Sequence, residues 1–119
     1  MAEIPTERIF TKIIFPAADM AAAIAFYRGL GFEVESYDDG YAWVRHRGEE
    51  ILHLARAADL AADHNRAAGY VHVQDVDAWH AAWTAAGFPV GPVEDLPWQM
   101  REFRITDPSG NLLRVGQNL

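Results

Sequence analysis

Residues 19–34 (DMAAAIAFYRGLGFEV) return as residues 75–90 (DVDAWHAAWTAAGFPV) at a constant offset of 56. At that offset Asp19, Ala22, Ala25, Gly31, Phe32 and Val34 fall on Asp75, Ala78, Ala81, Gly87, Phe88 and Val90, and Met20 and Tyr27 fall on Val76 and Trp83. Each copy opens on an Asp suited to capping the free N–H groups of a first helical turn, and closes on a Gly suited to a left-handed residue after the last turn. Between these signals Met20, Ala23, Tyr27, Leu30 and Val76, Trp79, Trp83, Ala86 keep the i, i+3, i+7, i+10 spacing of a helix with one buried stripe. A unit this short cannot bury its stripe alone, so the chain reads as two supersecondary modules packed together.

The segments around the repeat read as strands. Arg8 to Phe15 is Ile- and Phe-rich and is expected to stop at Pro16, which has no N–H for a ladder. Phe32 to Tyr37, Tyr41 to Arg47 and Glu50 to Ala55 follow, punctuated by Asp38-Asp39-Gly40 and Gly48. After a connector the order restarts with Tyr70 to Gln74, the helix Asp75 to Ala86, a short strand Val90 to Val93, a loop over Glu94 to Pro97, and two strands, Arg101 to Thr106 and Asn111 to Val115. Asp107-Pro108-Ser109-Gly110 between the last two suits a type I turn. The expected frame is α+β: paired βαβββ modules, the first over about 8–56, a connector over 57–68 and the second over 69–119, within a single domain.

Strand alternation divides each run into two faces. One set, Ile13, Phe15, Ala42, Val44, Leu52, Leu54, Val71, Val73, Leu113 and Val115, is aliphatic or small apart from Phe15 and belongs beneath helices. The opposite set holds Lys12, Ile14, Tyr41, Trp43, Arg45, Ile51, His53, Ala55, Tyr70, His72, Leu112 and Arg114. Aromatics mixed with single His and Arg residues are what a ligand cleft or an interface displays, whereas a solvated sheet face carries more Lys, Glu and Thr.

Composition narrows the functions. The formal net charge of −7 disfavours nucleic acid and anionic membrane as partners and suits a cationic ligand. The absence of Cys excludes disulfides, thiolate nucleophiles and Cys-ligated zinc. The acidic, Pro-containing start MAEIPTERIF does not read as a signal peptide, and no apolar tract approaches a membrane span, so a cytoplasmic location is expected. Ser36 and Ser109 sit in a strand edge and a turn, without a Ser-His-Asp constellation, and no phosphate loop is present.

Taken together, FYRGLGF at 26–32, WQMREF at 98–103 and DPSGNLLR at 107–114 on this doubled frame resemble the vicinal-oxygen-chelate superfamily, most closely its bleomycin-resistance branch. The resemblance implies curved modules forming a partly open, barrel-like sheet, a homodimer, and a cleft lined by the concave strand faces. It also places the superfamily's metal-ligand positions on Lys12, His53, Ala68 and Arg114. Only His53 is a ligand type: Lys is protonated, Ala has no donor atom and Arg is a fixed cation. A divalent ion needs about three or more protein ligands, so neither a metal nor another cofactor is expected.

The reading that follows is a non-catalytic antibiotic-binding protein. It would sequester a planar, cationic natural product of bleomycin type, with Glu35, Tyr41, Trp43, His53, Tyr70, Trp98, Glu102 and Arg114 as ligand-binding residues and no catalytic residue. Trp98 carries most weight, since an indole after Pro97 in a loop is explained by no stripe or alternation. The alternatives are a metal-dependent glyoxalase or dioxygenase on the same frame, for which a rearranged His53, His72 and Glu102 set is the only candidate, and a small accessory domain without a ligand.

Overall fold

A computed structural model describes residues 2–119. Its elements run β1 (Ile13–Ala17), α1 (Met20–Gly29), β2 (Glu33–Asp38), β3 (Tyr41–His46), β4 (Glu49–Arg56), a 3-10 turn (Ala62–His64), β5 (Ala68–His72), α2 (Val76–Ala85), β6 (Glu94–Leu96), β7 (Met100–Thr106) and β8 (Leu112–Asn118). Each half is βαβββ. Among the described residues no helix is long and apolar enough to cross a membrane.

The repeat places the helix ends as its chemistry dictates. Asp19 and Asp75 accept hydrogen bonds from the N–H groups of Ala22 and Ala78, both at 3.1 Å. Gly31 and Gly87 take φ of +100° and +88° after the last turns. In each case two crossed bonds close the helix, Gly31 N–H to Arg28 O with Phe32 N–H to Tyr27 O, and Gly87 N–H to Thr84 O with Phe88 N–H to Trp83 O.

The strands form two four-stranded sheets, ordered β1-β4-β3-β2 and β5-β8-β7-β6, which are not closed into a barrel. In each sheet the first strand pairs parallel to the last, as a crossover through a helix requires. The helix-facing sides of both sheets and the stripes of both helices meet in one core, including Phe15, Tyr27, Val44, Leu54, Trp83, Phe103 and Val115. Both sheets therefore turn their other face away from that core.

Two pseudo-equivalent aromatics hold the modules to each other. Tyr27 of α1 donates its hydroxyl to Asp107 Oδ2 in module two (2.7 Å), and Trp83 of α2 donates its indole N–H to Leu30 O in module one (2.9 Å). Burial first, then the neighbouring Asp107 carboxylate, drives the Tyr27 hydroxyl far above its ordinary range, so it remains a donor. The turn 107–111 is the rest of the joint. Asp107 Oδ1 accepts from Ser109 N and Asn111 N, and Asn111 Nδ2 reaches both Asp107 Oδ2 and Pro16 O. The DPSGN stretch thus fastens the last hairpin to β1 as well as making a turn.

Several boundaries differ from the sequence reading. The first strand begins at Ile13, not Arg8, and runs through Pro16. It is the edge strand of its sheet, where a residue without N–H costs no ladder bond. Val90 to Val93 is not a strand. Pro92 interrupts it, and Gly91 alone bonds back to Arg104 O. Glu94–Leu96, expected as loop, pairs with β7 through the three-residue connection Pro97-Trp98-Gln99. Ile51 leaves the outer set, because the register shifts between Val44 and Arg45 and turns it toward the core. Glu50 takes its place opposite Arg45.

Candidate functional site

On the outer face of the first sheet, the β3–β4 ladder sets Trp43 beside His53 and Tyr41 beside Ala55, and β2 brings Glu35 next to Trp43. The bulge delivers Glu50 to the same face, and a relay results: Tyr41 Oη lies 2.6 Å from His53 Nδ1, and His53 Nε2 lies 2.6 Å from Glu50 Oε1. Hydrogen bonding to His53, aided by the nearby Arg45 charge, holds the Glu50 carboxyl below its ordinary value. An ionised Glu50 accepts from Nε2–H, which in the neutral imidazole leaves Nδ1 to accept from Tyr41 O–H. Arg45 bridges Glu35 at 2.5 Å and Glu50 at 3.7 Å, with its guanidinium 5.5 Å from the Trp43 ring centroid. Tyr37, Trp43 and Tyr41 follow one another edge to face, giving an aromatic shelf beside the relay.

The second sheet carries a different network on its outer face. Tyr70 pairs with Arg114, Arg114 with Arg104, and Glu102 with Gly116 and Glu94. Glu102 is only 3% exposed although it points away from the helices, because Tyr70 Oη donates to Oε2 and Arg114 NH2 to Oε1, both at 2.8 Å. Burial works to raise the Glu102 pKa, but the bonds from Tyr70 and Arg114 outweigh it and hold the carboxyl below its ordinary value. The Tyr70 hydroxyl is pushed up to about 12 by burial and by that same carboxylate. Gly116 makes the network possible: a Cβ there would stand 2.0 Å from Tyr70 Oη and 2.9 Å from Glu102 Cγ.

Trp98 is at the tip of the β6–β7 hairpin, 58% exposed, so it is not a buried loop anchor. The connection fixes it sharply, since Gln99 takes φ +67° in the left-handed position that a three-residue hairpin needs.

The eight residues singled out by sequence thus divide between two sheets, with Glu35, Tyr41, Trp43 and His53 on the first and Tyr70, Trp98, Glu102 and Arg114 on the second. Among the described residues no hydrogen bond or ring contact joins the two sets. Sequence reasoning missed Glu50, hidden by the bulge, and Tyr37 and Arg104, which alternation made available without a reason to choose them. Gly116 was legible in principle, because a glycine inside a strand marks a close approach.

A divalent metal does not fit the positions the resemblance assigned to it. His53 has both ring nitrogens engaged, by Tyr41 and Glu50, and Lys12, Ala68 and Arg114 supply no ligand. The rearranged set fares no better, for Glu102 is bound to Tyr70 and Arg114 on the other sheet, and among the described residues no three His, Asp or Glu side chains converge.

Against known proteins, residues 9–115 match the family described as the Glyoxalase/Bleomycin resistance protein/Dioxygenase superfamily. No curated protein matches at the level of sequence. Among solved structures, a bleomycin-binding protein complexed with bleomycin is similar at 22% identity over 94% of this chain and 100% of its own, with TM-score 0.85. The bleomycin-binding protein of the bleomycin producer Streptomyces verticillus, complexed with copper(II)-bleomycin, is similar at 29% identity over 93% and 97%, with TM-score 0.78. A lactoylglutathione lyase from Agrobacterium tumefaciens shares the fold at 23% identity over 95% and 96%, with TM-score 0.74.

Proposed function

Since the chain belongs to the glyoxalase/bleomycin resistance protein/dioxygenase superfamily, we propose that it is a binding protein of bleomycin-resistance type, which sequesters a flat natural product and leaves it chemically unchanged. The observation that carries this reading is the fate of His53. Its two nitrogens are spent orienting Tyr41 and engaging Glu50, beside the Tyr37, Trp43 and Tyr41 shelf, so this face stacks and accepts hydrogen bonds where a metal enzyme would coordinate. Aromatic faces attract a cationic group on the stacked ligand, and the net charge of −7 favours the same charge.

The working unit in this reading is a homodimer. Neither sheet's outer face is covered within the chain, and the N-terminal segment leaves Ile4, Ile9 and Phe10 exposed at 87%, 81% and 72%, far more apolar surface than a free arm retains without a partner. A second copy can oppose the first sheet of one protomer to the second sheet of the other, uniting the aromatic shelf with Tyr70, Glu102 and Trp98. Light scattering at roughly tens of micromolar, where interfaces of ordinary size hold, is expected to give twice the chain mass. A monomer at that concentration would leave the two faces apart and overturn the shared cleft.

The direct test is a tryptophan-fluorescence titration with bleomycin. Saturable quenching at one site per protomer is expected, and Trp98→Ala is expected to weaken it by about 2 kcal/mol, roughly thirtyfold, as removal of an aromatic hot spot does. Because Trp98 is exposed, its melting temperature should stay that of the parent. No response to bleomycin or to other flat DNA-damaging natural products would remove the reading.

A further inference from the structure

We propose that Arg104 and Arg114 form a receptor for an oxyanion carried by the ligand: a carboxylate, sulfonate or phosphate ester on an aromatic body. The inference rests on the binding reading above and adds a class of anionic aromatic ligand to it.

The two guanidinium side chains leave the same sheet face from directly paired positions on β7 and β8. Like charges opposed across a ladder destabilise a sheet, so the pair calls for an anion between or above them. The chain provides one such charge, Glu102, held 2.8 Å from Arg114, and among the described residues none for Arg104. It has 17 Asp and Glu residues against 10 Lys and Arg, yet among the described residues no carboxylate comes within ion-pair distance of Arg104. Two other arginines inside these sheets are treated differently. Arg45 is held by Glu35 and Glu50, and Arg101 by Asp77 and Asp95.

Arg114 is anchored and unsaturated at once. Its NH2 is fixed by Glu102, itself buried and bonded to Tyr70, so the guanidinium is positioned before any ligand arrives. Its Nε is a buried donor without a partner, and its NH1 makes no hydrogen bond among the described residues. Buried donors are normally satisfied, and a planar fork with free N–H groups is the shape that matches a planar or tetrahedral oxyanion. Glu102 balances Arg114, with its two oxygens engaged by Arg114 and Tyr70, so the charge of Arg104 is the one left without a carboxylate at ion-pair distance among the described residues. Glu94, the other carboxylate of this face, pairs with Glu102 on the side away from Arg114 and bounds the positive spot.

The repeat sharpens the point. Ile14 pairs with His53 as its counterpart Tyr70 pairs with Arg114, which makes Trp43 and His53 of the first module equivalent to Arg104 and Arg114 of the second. One frame presents an acceptor face in the first module and a donor face in the second. Tyr70, 45% exposed and next to Arg114 in the ladder, offers an aromatic surface for the body that bears the anion.

The test compares probes with one aromatic body and different charge: 2-naphthoate, naphthalene-2-sulfonate, 2-naphthyl phosphate and 2-naphthylmethylammonium, titrated by calorimetry into the full chain. Arg104→Gln is expected to weaken the three anions by about tenfold or more, the size of a charge-assisted contact, and to leave the cation within twofold, about experimental scatter on that scale. Arg104→Lys is expected to recover most of the anion affinity. Inorganic sulfate alone is expected to bind far more weakly than the aryl anions. The proposal is overturned if Arg104→Gln spares the anions, if it weakens anion and cation alike, or if sulfate binds as tightly as the aryl anions. Should bleomycin still quench the tryptophans while the anions ignore Arg104, only the oxyanion receptor falls. Should neither bleomycin nor any naphthyl probe bind, the sequestration reading falls with it.

Discussion

Asp107→Ala is expected to cost about 3 to 5 kcal/mol of stability, the range for breaking a buried polar network by removing one member. Asp107 is 5% exposed and accepts four hydrogen bonds, from Tyr27 Oη, Ser109 N, Asn111 N and Asn111 Nδ2. Truncation leaves the fully buried Tyr27 hydroxyl and two backbone N–H groups without an acceptor, each costing about 1 to 3 kcal/mol before water enters. Tyr27→Phe is the control. It removes one donor and keeps the carboxylate on its other three bonds, so it should cost about 1 kcal/mol, the usual net worth of a hydrogen bond. Urea denaturation of both variants and the double mutant measures the coupling. A loss below about 1 kcal/mol in Asp107→Ala would mean that the DPSGN stretch makes a turn and nothing more.

That motif illustrates what a sequence carries and what it hides. The turn itself was legible, because Asp, Pro and Gly each have a local backbone reason for their places. The partners of Asp107 and Asn111 were not, since Tyr27 and Pro16 lie 80 and 95 residues away in the chain. The helices were legible to within a residue or two for the same local reason, as cap, stripe and stop all reside in the repeat. The strands drifted wherever pairing decided the outcome. Pro16 is accepted because β1 happens to be an edge, and Glu94–Leu96 becomes a strand because β7 offers it a ladder.

The outer faces followed alternation until the bulge at Ile51, where one extra residue exchanged Ile51 for Glu50. That single shift changes the chemistry of the first sheet. It gives His53 a carboxylate on Nε2 in addition to the Tyr41 hydroxyl on Nδ1. No periodicity announces such a bulge. What alternation also concealed is that the eight candidate residues belong to two sheets, which share a core through their helix-facing sides and whose candidate residues meet in no hydrogen bond or ring contact across the sheets among the described residues.

Trp83→Ala is expected to cost about 3 to 5 kcal/mol, the range for truncating a buried aromatic, and to do so by loosening one module from the other. Trp83 is 2% exposed and makes edge contacts with Phe32, Trp79 and Phe103, which come from both halves of the chain. Its indole N–H also satisfies Leu30 O at the end of α1, a carbonyl that the helix itself leaves without a donor. The variant therefore opens a cavity and unpairs a helix end together. At the offset of the repeat Trp83 is the counterpart of Tyr27, and each reaches into the opposite module, so Trp83→Ala and Asp107→Ala attack the same joint from its two sides. The double variant should lose less than the sum of the two, because a joint already opened on one side has less left to lose. Full additivity in urea denaturation would mean two independent anchors. The outer faces are untouched by either change, so the fraction of Trp83→Ala that remains folded should bind bleomycin with the affinity of the parent. Weakened binding by that folded fraction would show that the core sets the geometry of the ligand face, and that Trp83 belongs to the site as well as to the joint.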